Sequence, residues 1–491
     1  MRPYCKLIRN GLCFAVVFLS ACSLAPVYTR PEAPVPEQIS AEIRNFVQAD
    51  GTPVVTWPIG AGNVQASPAA NVAHIGWVDF FKDPRLRELI AISLRHNRDV
   101  RMSALAVEEA RAQYGIQRAE RLPRLETVGQ GDYSGKVRER HMEILEVGLM
   151  PSFELDFFGR IKSMSESALQ AYLASREAEK TMRISLVAQV AESYLNECLA
   201  GEQLQLARNN LVSWRKSYAF VERRVQSGQS SLLDLEQARS MVEFATATVA
   251  GQERQLIQSG NALRLLSGSF VQQNLPPAQP LRKQSLAALP SGLPSSVLLE
   301  RPDVLEVEHR LLAANADIGA ARAAFFPSVN LTGSLGYMSE DLNRLIVGSN
   351  ALWSFLPKIS LPIFAGGGLE AGLDLSEARK ESSVAAYEKV VQTAFTEVAD
   401  ALQSRASFDR QLKAQERYLA SQRTVLDLAM NRYVNGAVSY LEVLDAQRVL
   451  YQTEQDLLAI RREQLLNEIR LYKALGGGLN ADSVISASYN S

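Results

Sequence analysis

Few residues in this chain of 491 are placed to do chemistry. The four histidines, His74, His96, His141 and His309, are scattered, so they form no cluster suited to metal ligation or general-base work. Cys22 ends the run Leu19-Ser20-Ala21-Cys22, which looks like a bacterial lipobox, a motif whose cysteine becomes an acylated first residue. The carboxylates Glu442 and Asp445 are three apart and share one face of a helix. A structural reading competes for Glu442, because Ser439-Tyr440-Leu441-Glu442 is a capping box and Ser231-Leu232-Leu233-Asp234 is nearly one. Acids in a first helical turn also suit the helix dipole. A cap does not account for Asp445. Gly366-Gly367-Gly368 could cradle a phosphate, but no Lys-Ser/Thr follows, and a strand-to-helix turn explains the triplet better. Cys198 reads as a small packing residue, and the nine methionines do not cluster into a metal-handling tract. These residues imply no enzyme and no cofactor.

The elements around them are more informative. The net charge is −1, with 21% charged and 47% hydrophobic residues, so there is no basic footprint for nucleic acid. Arg2, Lys6 and Arg9 precede a short apolar run and then the small residues of the lipobox. That is a secretory signal peptide over residues 1–21, too short in its apolar part to span a bilayer. Pro26, Pro31, Pro34 and Pro36 then suggest an extended tether over 22–76. No later segment reaches the eighteen or so apolar residues of a membrane helix, so any membrane-spanning part must be a β-barrel.

The chain states its plan twice. ARAQYGIQRAERLPRLETVGQG and ADIGAARAAFFPSVNLTG match at a shift of 204, with Pro123 under Pro327. At a shift of 208, residues 224–239 match 432–447, with Gly228 under Gly436. Each copy holds a long helical stretch, a glycine break and a second stretch: 160–227 with 231–268, and about 368–435 with 439–475. Leu235, Val242, Val249, Leu256 and Leu263 recur every seven residues, as do Val443, Leu450 and Leu457. This predicts antiparallel coiled-coil hairpins with tips at Gly228 and Gly436. Apolar and polar residues alternate over 124–134, 147–157, 329–338 and 353–363, which predicts four strands. Four cannot close a membrane barrel, so the chain must pool strands with its own copies. Pro123 and Pro327 mark the change from helix to barrel wall.

At this point the chain resembles the TolC-like outer-membrane efflux channels, specifically the NodT-type lipoproteins of resistance-nodulation-division (RND) pumps. The resemblance rests on Trp77-Val78-Asp79-Phe80-Phe81-Lys82-Asp83-Pro84, on Glu300-Arg301-Pro302-Asp303-Val304 with AANADIGAARAAFFPSVNLTG, on residues 361–367, and on GAVSYLEVLDAQR. It implies a mainly α homotrimer with a small transmembrane β part. Four strands per protomer form a twelve-stranded barrel on an α-helical tunnel. The repeats would span 77–298 and 299–478, and 479–491 would join an equatorial region with 270–298 and part of 40–75. The implied partners are outer-membrane lipid at Cys22, a periplasmic adaptor docking near Gly228 and Gly436, and an inner-membrane RND pump. Glu442 and Asp445 match acids that narrow the closed pore, and Tyr433 with Asp234 match a pair that latches helices. Val438 stands where the family has a latching arginine, so that part of the latch is missing. Two other readings stay open: a duct for secreted proteins, and a coiled-coil periplasmic scaffold.

Overall fold

A computed structural model describes residues 24–35, 75–134, 142–269, 275–289 and 295–477. The signal peptide, Cys22 and most of the proposed equatorial stretches 40–75 and 479–491 lie outside the described residues. The helices are α1 (Trp77–Phe80), α2 (Pro84–His96), α3 (Arg98–Ala119), α4 (Arg160–Gln226), α5 (Leu232–Ser267), α6 (Pro302–Ala323), α7 (Gly368–Val434) and α8 (Tyr440–Ala474). The strands are β1 (Arg124–Ser134), β2 (Met142–Leu155), β3 (Ser328–Ser339) and β4 (Ala351–Ser360). The order helix, two strands, long helix, shorter helix occurs twice. Both long helices have 67 residues, and the shorter ones have 36 and 35. The fold is thus mainly helical with a small sheet and an internal repeat, as expected. No described helix is long and apolar enough to cross a membrane.

The chain divides into two compact units, each drawing on both repeats: residues 1–33, 105–177 and 305–389, and residues 34–104, 178–304 and 390–491.

The first unit holds one antiparallel sheet in the order β1-β2-β3-β4. Register sorts its side chains. Leu125, Leu149, Phe153, Leu331, Leu335, Trp353, Phe355 and Ile359 share one face. Glu126, Gln130, Glu146, Glu154, Asn330, Ser334 and Lys358 share the other. The apolar face is bare: Trp353 is 76% exposed. Gly148 and Gly336 are opposed, and a Cβ on Gly336 would stand 2.2 Å from the Val147 carbonyl oxygen. Only glycine permits that approach.

The helix-to-strand changes are alike in both copies. Arg121 and Leu122 close turns on Arg118 and Ala119, while Phe325 and Phe326 close them on Arg322 and Ala323. Proline follows each time and cannot extend the helix. Two strand limits differ from expectation by more than two residues. β2 begins at Met142 because its ladder with β1 starts at Ser134, and adjacent Ile144 and Leu145 hide the alternation there. β4 stops at Ser360 because its partner β3 starts at Ser328, leaving Leu361 and Pro362 nothing to pair with.

Residues 24–35 are held as a strap rather than left loose. Arg30 donates to the Glu308 carboxylate at 2.6 Å, and Asn315 donates to the Pro26 carbonyl at 2.8 Å. Ala25 lies over Gly319, where a Cβ would come within 2.8 Å of its methyl group. Five strap residues cover about 17 Å when extended, matching the rise of the eleven helical residues from Glu308 to Gly319.

In the second unit the motif residues are structural anchors. Asp83 caps α2 by accepting from the Arg85 amide, and it also accepts from the Tyr194 hydroxyl at 2.6 Å and Gln284 at 2.7 Å. Asn97 caps α3 through the Asp99 and Val100 amides. Arg301, 6% exposed, bonds Asp303, Glu397 and the Ala474 carbonyl, so its buried charge is fully partnered. Cys198 is buried, and burial pushes its thiol up to about 12, consistent with a packing role.

Gly268 ends α5 at φ +64°, and a Cβ there would meet the His96 carbonyl oxygen at 2.3 Å. Gly268→Ala should therefore lower the heat stability of the detergent-purified protein, through both strain and clash. Gly251→Ala, inside the same helix with open space around it, should raise stability by up to about 1 kcal/mol. Circular dichroism melts of the two variants check the opposite signs.

Candidate functional site

The loops joining α4 to α5 and α7 to α8 are built alike. Gly228 and Gly436 both have φ +73°. Gln229 N bonds Arg224 O at 2.7 Å, and Ala437 N bonds Arg432 O at 2.9 Å, closing the same helix-end motif. No atom lies within 4 Å of a Cβ added at either glycine, so backbone strain, not space, selects the residue. Behind the loops the heptad residues meet as expected. Trp214, Val221, Ala238, Ala245, Tyr433, Tyr440, Val443 and Ala446 form one buried cluster drawn from all four helices.

The two tips then diverge. At the first tip, Asp234 N donates to Ser231 Oγ at 3.1 Å, and Ser231 N donates to Asp234 Oδ2 at 3.1 Å. This completes the capping box that the sequence only approached. At the second tip the expected box is missing. Ser439 makes no side-chain cap, and the Glu442 amide bonds the Ser439 carbonyl instead. The Glu442 carboxylate turns to Arg432, 3.9 Å away, at an exposed site. Asp445 is exposed and forms no ion pair among the described residues.

Tyr433 and Asp234 are joined, but through a third residue. The Ser230 hydroxyl donates to Asp234 Oδ2 at 2.8 Å and accepts from the Tyr433 hydroxyl at 3.2 Å. At the 208-residue shift Ser230 corresponds to Val438, so the second tip has no hydroxyl for an equivalent link. The sequence reading also missed Arg224. Its guanidinium lies 4.9 Å from the Tyr433 ring centre and 5.9 Å from that of Phe220. Its Nη1 donates to the Val434 and Tyr433 carbonyls at 3.3 and 3.4 Å. The available signal was position: Arg224 precedes Gly228 by four residues, as Arg432 precedes Gly436.

Burial alone would raise the Asp234 carboxyl. The Ser230 hydroxyl, the Ser231 amide and hydroxyl, and the Arg224 charge outweigh it and hold Asp234 below its ordinary value. Burial, reinforced by Tyr433, pushes the Tyr440 phenol up to about 12. Among the described residues no group of three His, Cys, Asp or Glu could hold a metal ion. The site is therefore a set of hairpin ends tied by polar contacts, with unpaired acid on one of them.

A sheet with a bare apolar face, together with paired coiled-coil hairpins, defines an outer-membrane channel. The model of the outer membrane efflux protein family matches residues 89–269 and 293–477, and the chain belongs to that family. It is 47% identical over 478 residues to the cation efflux system protein CusC of Escherichia coli O6:H1, covering 96% of this chain and 99% of that one. It is 43% identical over 472 residues to the toluene efflux pump outer membrane protein TtgI of Pseudomonas putida, covering 95% and 97%. The solved open state of the Neisseria gonorrhoeae MtrE outer membrane channel matches at TM-score 0.80 and 37% identity, covering 93% of this chain and 99% of that one. The chain is an outer-membrane efflux channel.

Because Asp234 titrates below its unfolded value, its contribution to the tip is present above the ordinary carboxylate range and lost as pH falls through the lowered value. The protection factors of amides in residues 227–236, relative to intrinsic exchange at each pH, should be higher at pH 7 and fall below about pH 4. Asp234→Asn should remove most of that pH dependence, and an unchanged profile would show that Asp234 does not hold the tip.

Proposed function

We propose that the chain is the passive exit duct of a tripartite pump, expelling drugs or other toxic small molecules across the outer membrane. The observation that carries this reading is the open sheet. Its apolar face suits lipid, but β1 and β4 each leave one edge unpaired. Unpaired backbone groups in lipid cost several kcal/mol each, so the edges must be closed by further copies. Three copies give twelve strands. A periplasmic adaptor and an inner-membrane RND pump complete the path, with the adaptor docking at the turns of Gly228 and Gly436.

The anchor is the Cys22 thioether. The gate is at the tips. Tyr433, Ser230 and Asp234 tie the hairpins of one protomer, while Glu442 and Asp445 of three protomers face one another and repel.

Export of metal cations is a second reading, favoured by charge on the polar face of the sheet. Glu126, Asp132, Glu146 and Glu154 share it with only Arg124 and Lys358. Deleting the gene and screening metal salts beside toluene and antibiotics separates the two: lost metal tolerance alone supports the second.

The purified protein should be a trimer in detergent by light scattering, and a conducting monomer would contradict this. In planar bilayers, Glu442→Ala with Asp445→Ala should weaken cation preference. Ser439→Ala should leave it intact, since Ser439 forms no side-chain cap. Unchanged preference in the double variant would remove the acids from the gate. Mass spectrometry should find Cys22 lipid-modified in the wild-type protein and the modification absent in Cys22→Ser.

A further inference from the structure

Among the arginines at the tips, Arg224 has bonds that the gate described above does not use. Arg224 lies at the end of α4, in the first hairpin, yet its bonds go largely to the second. We propose that Arg224 is the clamp holding the two hairpins of a protomer together in the shut channel, and that opening requires its guanidinium to leave Tyr433 and the end of α7. This rests on the reading of the tips as the gate.

The first argument is what Arg224 binds. Tyr433 and Val434 are the last two residues of α7; the Tyr433 carbonyl also accepts from the Gly436 amide, while the Val434 carbonyl is among the acceptors that lie beyond the reach of a helix's own ladder. A cation is also favoured at that end of the helix dipole. Arg224 therefore caps a helix of the other hairpin, and parting the hairpins uncaps it. Beside the polar links of Ser230 to Tyr433 and Gln447 to Ser217, the core contacts between the hairpins, such as those of Trp214, Val221 and Val443, are apolar and tolerate sliding. The guanidinium bonds are directional and do not.

The second argument is burial. The Arg224 Nε atom is shielded from solvent and has no hydrogen-bond partner. A guanidinium nitrogen cut off from water without a partner is unfavourable unless other contacts of the group compensate. The Tyr433 ring at 4.9 Å, the Phe220 ring and three carbonyls, including Gln229 O at 3.5 Å, supply that compensation. Removing Tyr433 from beneath the charge leaves it poorly partnered, so the contact is either made fully or released.

The third argument is an internal control. Arg432 is the counterpart of Arg224 at the 208-residue shift, and the backbone turns around both are the same. Arg432, however, stays on its own hairpin, 3.9 Å from Glu442, with its side chain 62% exposed. The clamp is thus a property of one tip and not of the repeated sequence.

Full-length trimers in planar bilayers test the proposal. Arg224→Met keeps the apolar stem and removes the charge, and should raise the open population about two- to thirtyfold, the range for losing one cation–π contact from exposed to desolvated. Arg224→Lys keeps the charge but loses the fork, and should fall between wild type and Met. Arg432→Met should not open the channel. A rise in Arg224→Met alone supports the clamp, and an equal rise in Arg432→Met overturns it as a general effect of charge. Lower heat stability with wild-type closure in Arg224→Met overturns it as a merely structural contact. If Arg224→Met does not assemble, Arg224→Lys decides: a rise supports the clamp and wild-type closure overturns it. Asp234→Ala with Tyr433→Phe tests the gate itself. If that pair opens the channel and Arg224→Met does not, the clamp fails while the gate stands. If neither opens it, both fail.

Discussion

A backbone amide or carbonyl in hydrocarbon has no water to bond, so every strand edge that enters a bilayer must find another strand. The first unit of this protein obeys that constraint along three junctions and leaves it unmet at two edges. A soluble sheet with open edges blunts them with charge, bulges or short strands. Here β1 and β4 run eleven and ten residues in unbroken register with their inner neighbours. The sheet's apolar face carries exposed Trp353, Phe355 and Ile359, which a water-facing sheet would hide. Edge, face and length are all accounted for by one arrangement, a barrel closed by copies of the same chain.

Duplication supplies the framework, and local divergence supplies function. The two 67-residue helices, the proline-ended turns and the left-handed glycines repeat almost residue for residue. At the tips the copies part. Ser230 has a hydroxyl where Val438 has none, and Asp234 completes a cap where its counterpart Glu442 turns to Arg432. Leu232 is 71% exposed, whereas its counterpart Tyr440 is 1% exposed against Tyr433. Identical scaffolds with unlike ends give the two hairpins different contacts at the proposed gate.

Most of the fold was legible in the sequence because its signals are periodic. Heptads, alternation and proline or glycine punctuation act along the chain and need no knowledge of distant partners. Strand limits were less legible, since the end of a strand depends on where its neighbour ends, as at Ser360 opposite Ser328. At the site, Tyr433, Asp234 and both turn glycines were visible, and the structure brings the first two together. Their link was not visible, because Ser230 and Arg224 act across 203 and 210 residues of chain, as far as Tyr433 and Val434. The cap at Ser439 was misread for a similar reason: whether Glu442 bonds back to its own helix start depends on Arg432 nearby. The signal peptide and Cys22 were read from local composition alone.

The closure of the sheet by neighbouring copies is the claim on which the rest stands. Disulfide cross-linking tests it directly, with single cysteines introduced pairwise along the polar-face positions of β1 and β4, such as Gln130 and Ser354. The account predicts that some β1–β4 pairs join different chains into linked trimers in outer membranes, while β1–β1 and β4–β4 pairs do not link. Links between β1 and β4 of a single chain, or β4–β4 links between two chains, would contradict it.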